Sequence, residues 1–289
     1  MTKTKTVYDH IKSNNIKTAL LVLLFPVIFI ALVFLFVRMV SPLNDAINTT
    51  ISVAIPTFVI CMVWMLISWA FGDSMMLSMA GAHKLDINDN RQIYNLVENI
   101  ALAAGLPTPN VYIIEDNSLN AFATGRTPAD ATVALTRGII NKLDTAELSG
   151  VIAHEMAHIG NRDIRLDMLI ITGVGVTVFI ADILLRGALY GRPINTSDDN
   201  NNNNSAAILM MIWLAFSIFN LIITPLLQMA ISRKREYAAD ATGAFITRNP
   251  HALASALQKI STDSRIEQID KTQSMASIFI ASPTRPRSF

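Results

Sequence analysis

Long apolar runs alternate with polar segments along this chain, and their lengths predict most of its architecture. Residues 1–17 are polar and basic, with Lys3, Lys5, Lys12 and Lys17 against Asp9. Residues 18–37 then run twenty positions without a charge, closed by Arg38, long enough to cross a bilayer as a helix. A secretory signal would have a shorter apolar core and a small-residue cleavage site. Pro26 predicts a kink of the kind membrane helices tolerate. A polar turn, 41–50, precedes a second run, 51–71, with Trp64 and Trp69 toward its end. The two runs predict a transmembrane hairpin. A third run, 168–190, is broken by Asp182, whose spacing to Arg186 predicts an ion pair near one membrane face. Residues 191–205 form a low-complexity Asn/Asp loop. A fourth uncharged run, 206–231, contains Pro225.

Between the hairpins the pattern changes to that of a globular domain. Residues 88–104 have a helical period that puts Ile93, Leu96, Val97, Ile100 and Ala101 on one side. Short apolar segments at 111–114, 120–125 and 132–135 read as strands. Asp144 with Glu147 three residues on is a capping-box spacing. Leu148, Val151, Ile152, Met156 and Ile159 then recur at helical spacing up to a stop at Gly160 and Asn161. Four segments follow: 1–72, tail and first hairpin; 73–167, first part of a globular domain; 168–232, second hairpin; 233–289, second part of that domain. The expected fold is mainly α with a small β-sheet, four transmembrane helices and a cytoplasmic α+β domain.

Basic residues flank the outer ends of the runs: the N-terminal lysines, and Arg233, Lys234 and Arg235 after the fourth. By the positive-inside rule both termini, and with them the globular domain, face the cytoplasm. Arg186 and Arg192 weigh against this placement. The hydrophobic fraction of 52% and mean hydropathy of +0.41 support a membrane protein. A net charge of +1 gives no case for binding nucleic acid. No P-loop is visible, so no nucleotide is expected. One cysteine, Cys61, excludes a disulfide framework and a Cys-rich metal site.

Candidate chemistry lies in residues 154–163, HEMAHIGNRD. His154 and His158 are four apart, so a helix puts both imidazoles on one face, able to hold one metal ion. Glu155 stands beside them, placed to take a proton from a water at that ion. The bland alternative is a buried helix whose histidines only hydrogen-bond. A catalytic zinc needs a third protein ligand. His10, His83 and His251 do not follow at the short HExxHxxGxxH spacing, since 161 and 164 are Asn and Ile. Glu236, in SRKREYAAD (232–240), is the best choice. It follows the fourth apolar run, as the His pair precedes the third, so the second hairpin returns the two segments to one membrane face. Asp240, a turn beyond Glu236, is placed to orient a ligand His through its outer nitrogen, with Asp163 a weaker candidate. The segment Asn120, Ala121, Phe122, Ala123, Thr124, Gly125 reads either as a plain strand with a Gly turn or as an edge strand beside the site. An extended peptide can add to such an edge.

These pieces resemble the HtpX-type membrane zinc metalloproteases, gluzincins related to the CAAX prenyl proteases. The resemblance rests on two hydrophobic hairpins, NAFATG (120–125), HEMAHIGNRD and SRKREYAAD in that order. It implies one Zn²⁺ per chain on His154, His158 and Glu236, with Glu155 as general base and NAFATG near the cleft. It further implies cleavage of damaged or misassembled membrane proteins in the bacterial inner membrane, from the cytoplasmic side and without ATP. Members of this group continue through a Thr-His-Pro-Pro segment, whereas residues 282–289 here read SPTRPRSF. The expectation there is altered substrate positioning or transition-state stabilisation, with Arg285 or Arg287 as candidate substitutes. The alternatives are a narrower prenyl-protein or processing protease, or a catalytically impaired zinc-binding interaction protein.

Overall fold

The computed structural model describes residues 46–172 and 233–262, with scattered helical positions within 12–31 and 214–221. The third apolar run beyond residue 172, most of the first and fourth runs, the Asn/Asp loop, the Asp182–Arg186 pair and residues 263–289 lie outside the described residues. Helix α1 (Ala46–Met79) begins within the segment expected to turn and passes residue 72 without a break. Its Met62–Met79 window is the one stretch among the described residues long and apolar enough to cross a membrane, with 22% of it buried. Residues 1–18, 68–172 and 230–289 form one compact unit, and 19–67 with 173–229 a second.

Within the first unit the chain is mainly helical around a small mixed sheet. After α1 come β1 (Ala82–Lys84), α2 (Arg91–Ala104), β2 (Asn110–Ile114), β3 (Ala121–Thr124), β4 (Thr132–Thr136), α3 (Arg137–Lys142) and α4 (Thr145–Gly160). A helix over 163–172, α5, follows, then α6 (Arg233–Thr247) and α7 (Pro250–Thr262). The strand order is β1-β2-β4-β3. β2 and β4 run parallel, with Val111 opposite Val133 and Ile113 opposite Leu135. β3 is antiparallel to β4 at one edge, and β1 antiparallel to β2 at the other. The three strands expected from sequence are present. β1, α3 and α7 are additional; β1 and α3 are too short for periodicity to mark them, whereas α7 carries a helical stripe of Ala252, Leu253, Ala256 and Ile260, all buried, that was legible in the sequence.

Helix α2 starts at Arg91 rather than 88, because the Asn90 side chain accepts the Ile93 N–H and caps it there. Its face of Ile93, Val97, Ile100 and Ala101 is buried. That face joins Ile113, Val133, Leu135, Val151, Ile152, Met156 and Ile159 in one core. Helix α4 opens with the expected capping box: Asp144 Oδ1 accepts the Glu147 N–H at 2.9 Å, and Glu147 Oε2 accepts the Asp144 N–H at 3.0 Å. It closes at Gly160, but the left-handed residue of the turn is Arg162 (φ 58°). Asp163 then starts α5 at once.

Glu147 does a second job. Ser255 Oγ and Lys259 Nζ of α7 each donate to its carboxylate at 2.7 Å, tying the start of α4 to α7. Burial pushes the Glu147 pKa up, but the bonds from Lys259, Ser255 and the Asp144 backbone outweigh it and leave the pKa below the ordinary 4.5. A lowered folded value means this group stabilises the fold above the unfolded pKa and loses that contribution as pH falls through the folded one. Melting of the parent should therefore drop below about pH 4.5 more steeply than melting of Glu147→Gln. Parallel acid profiles would show that the tie contributes nothing.

Candidate active site

The site lies where α6 crosses α4. Gly243, which has no side chain, abuts the His154 backbone there, and Ala239 one turn earlier is fully buried. This close crossing brings Glu236 over the two histidines of α4. His154 Nε2 and His158 Nε2 stand 3.2 Å apart, and Glu236 Oε2 stands 3.7 Å from the first and 3.8 Å from the second. The two imidazoles meet edge to face, centroids 4.8 Å apart.

The outer nitrogens explain why the inner ones converge. Asp163 Oδ2 lies 2.9 Å from His158 Nδ1. Asp240 Oδ1 lies 3.0 Å from His154 Nδ1, without the alignment of a hydrogen bond. A carboxylate at Nδ1 favours the tautomer with its proton there. The two Nε2 atoms then face each other with a carboxylate oxygen nearby, an arrangement that a positive charge between them stabilises, whether a proton on one ring or a metal cation. Zinc bonds of roughly 2.0–2.1 Å in a tetrahedral set separate ligand atoms by roughly 3.3 Å. The observed spacings fit such an ion after a shift of a few tenths of an ångström at Glu236, whose side chain is 46% exposed and free to make it.

Charge favours the same occupant. Burial works against a charged His158, yet Asp163, Glu155 and Glu236 overcome it and push its pKa up to about 9. These carboxylates stabilise positive charge at the ring, and a metal cation supplies it equally. Glu155 is almost wholly buried. Burial raises its pKa; the two histidines and the Ala123 backbone N–H oppose that, and Glu236 adds to it. Ala123 belongs to β3, so the strand read as NAFATG does lie against the His-Glu helix. It is an edge strand in the sheet, yet the side chains of Ala121, Phe122, Ala123 and Thr124 are buried. Asn120 is also buried and turns inward, its Oδ1 accepting the Ala121 N–H. Gly125, at φ 133°, ends the strand. What this segment can offer a ligand is backbone, not side chains.

Arg235, one of the basic residues after the fourth run, is 4% exposed, with Nη1 donating to Asp163 Oδ1 at 3.3 Å and Nη2 to Asp167 Oδ1 at 3.0 Å. No local signal marks this burial, because a helix Arg facing water needs no protein partner.

A His-Glu-x-x-His helix whose imidazoles converge with a carboxylate from a second helix, beside a sheet edge, defines the metallopeptidase class. The comparisons agree: residues 88–286 match peptidase family M48, and this chain belongs to that family. It is similar to proteins named Protease HtpX homolog. The one from Bacteroides fragilis is 37% identical over 93% of this chain and 87% of its own length. The one from Thermoanaerobacter pseudethanolicus is 39% identical, over 96% and 90%. The one from Listeria monocytogenes is 40% identical, over 97% and 92%. No solved structure matches the chain. The chain is a metalloprotease, and its apolar runs make it a membrane-bound one.

Proposed function

We propose that this chain is a zinc endopeptidase that hydrolyses damaged or misassembled membrane proteins at the cytoplasmic face of a bacterial inner membrane. The observation that carries the reading is the convergence of His154 Nε2, His158 Nε2 and Glu236 Oε2 beside the buried Glu155 carboxylate. In this reading those three residues hold one Zn²⁺, Asp163 and Asp240 orient the two histidines, and residues 73–167 and 233–289 are two parts of one protease domain. Zinc at such a site supplies Lewis acidity toward a carbonyl oxygen and an acidified water. Glu155 receives the proton of the attacking water and passes it to the leaving amine. The β3 edge aligns an extended substrate through its backbone. Four transmembrane helices, with both termini cytoplasmic, follow from the apolar runs and the basic flanks.

One assay tests zinc dependence and orientation together. Membrane vesicles carrying the full chain are prepared inside-out and right-side-out, stripped of metal by a chelator, and offered an added unfolded model protein. Cleavage should appear only in inside-out vesicles and only after Zn²⁺ is restored. Cleavage by right-side-out vesicles would overturn the topology, and cleavage undiminished by stripping would overturn the metal assignment. Binding of zinc with no cleavage in either orientation would favour the impaired, zinc-holding reading.

A further inference from the structure

Arg235 lies one residue before Glu236 but faces away from the proposed ligand cluster. Consecutive helical residues point about 100° apart, so Glu236 reaches the two imidazoles while Arg235 enters the junction of α4 and α5. There its guanidinium bridges Asp163 and Asp167. Asp163 uses its other oxygen on His158 Nδ1. One unbroken path therefore runs from His158 through Asp163 to Arg235, and from Arg235 along one peptide unit to Glu236. The path joins two segments far apart in sequence.

We infer that Arg235 is a positioning residue that locks the two halves of the metal site into register, an inference that rests on the ligand set proposed above. Two features give it this capacity. A guanidinium is a planar fork, so binding two carboxylates fixes its plane and theirs, as an ammonium would not. Its surroundings are almost free of solvent: the side chain is 5% exposed, that of Asp163 2% and that of Asp167 16%. In such a place the pairs are little screened and costly to break singly. The plane of Asp163 sets the His158 ring, and the seat of Arg235 sets the rotation of α6 and hence the approach of Glu236. A single side chain thus governs two of the three ligands without touching the ion. Nε of Arg235 has no partner among the described residues, so the two carboxylates hold the group by its outer nitrogens alone.

The test uses the full chain in detergent. Removing Arg235 alone leaves two buried carboxylates facing each other, so Arg235→Met is paired with Asp167→Asn to keep the fold. Arg235→Lys keeps the charge without the fork. Zn²⁺ affinity is measured by chelator competition, and the site geometry by the visible absorption of bound Co²⁺. The Met/Asn double variant should bind Zn²⁺ roughly 10- to 100-fold more weakly, with a changed Co²⁺ spectrum, and Arg235→Lys should recover only part of the loss. Parental affinity with an unchanged spectrum in the double variant would overturn the inference, as would full recovery by lysine. Glu236→Ala is the control. If it binds Zn²⁺ like the parent, the ligand set itself is wrong. If it binds poorly while the double variant does not, only the role of Arg235 falls.

Discussion

Glu155→Gln should bind zinc like the parent and hydrolyse an unfolded protein substrate at a rate lower by about 10²- to 10⁴-fold, the contribution expected of a positioned general base. The substitution exchanges one carboxylate oxygen for an amide nitrogen and leaves the volume almost unchanged. The amide of the variant would still offer an oxygen to the Ala123 backbone N–H that faces Glu155, so α4 and β3 should keep their spacing. What it removes is a site able to accept a proton, which matters in the transition state and not in substrate binding. Loss should therefore appear in kcat and in kcat/KM alike, with KM nearly unchanged. Zinc content by elemental analysis and initial rates on one preparation read both halves. Equal activity in parent and variant would remove Glu155 from the mechanism; equal loss of metal would make it a structural residue of the site.

The sequence made the centre of this site legible because its determinants are local. The capping box, the apolar stripe and the His spacing on α4 all lie within one helix, and the structure reproduces each. The proposed third ligand, a carboxylate, was reached by ligand count: a zinc with two histidines needs one more protein ligand, and Glu236 stood at the right end of the expected second hairpin. Asp240 followed from the need of a ligand imidazole for an outer partner; Asp163, read as the weaker candidate for that same job, is the one in hydrogen-bond geometry, on the other imidazole, His158. The parts that escaped notice are set by distant contacts. Arg235 sits in a run of cations, and in sequence such a run reads as a solvated flank. Only the fold shows the paired carboxylates of Asp163 and Asp167 that bury it. The tie from Glu147 to Ser255 and Lys259 spans more than a hundred residues, so no window contains it. β1 is three residues long, Ala-His-Lys, and owes its existence to the open edge of β2 rather than to any pattern of its own. NAFATG was half legible: its place at a sheet edge emerged, but the burial of its side chains did not, because Ala121 and Ala123 are covered by the core that includes α4, while Thr124 on the other face meets Met76 of α1.

Gly243→Ala should lower stability and activity together, although the same change in most helices does the reverse. In a helix interior alanine is favoured over glycine by about 0.5–1 kcal/mol, and nothing local to α6 opposes it. The opposition comes from α4. A Cβ on residue 243 would lie 3.0 Å from the His154 nitrogen, 3.2 Å from its Cα and 3.3 Å from the Ala153 carbonyl carbon. These are backbone atoms of a helix and cannot rotate aside, so α6 must back away. Overpacking of this kind costs about 1–3 kcal/mol, which exceeds the gain in helix propensity. The displacement occurs less than two helical turns from Glu236 and one residue short of a turn from Asp240, so it reaches the third ligand and the partner of His154 at once. Misplacing such groups by as much as ~1 Å costs on the order of 10² in rate, and the smaller shift forced by one methyl group should cost about tenfold. Gly160→Ala is the matched control: there a Cβ meets only the Leu106 side chain at 3.6 Å, ordinary contact, so melting should hold or rise and activity should persist. A higher melting temperature with full activity in Gly243→Ala would mean that the crossing of α4 and α6 is looser than the observed packing, and that Glu236 is held in place by something other than this contact.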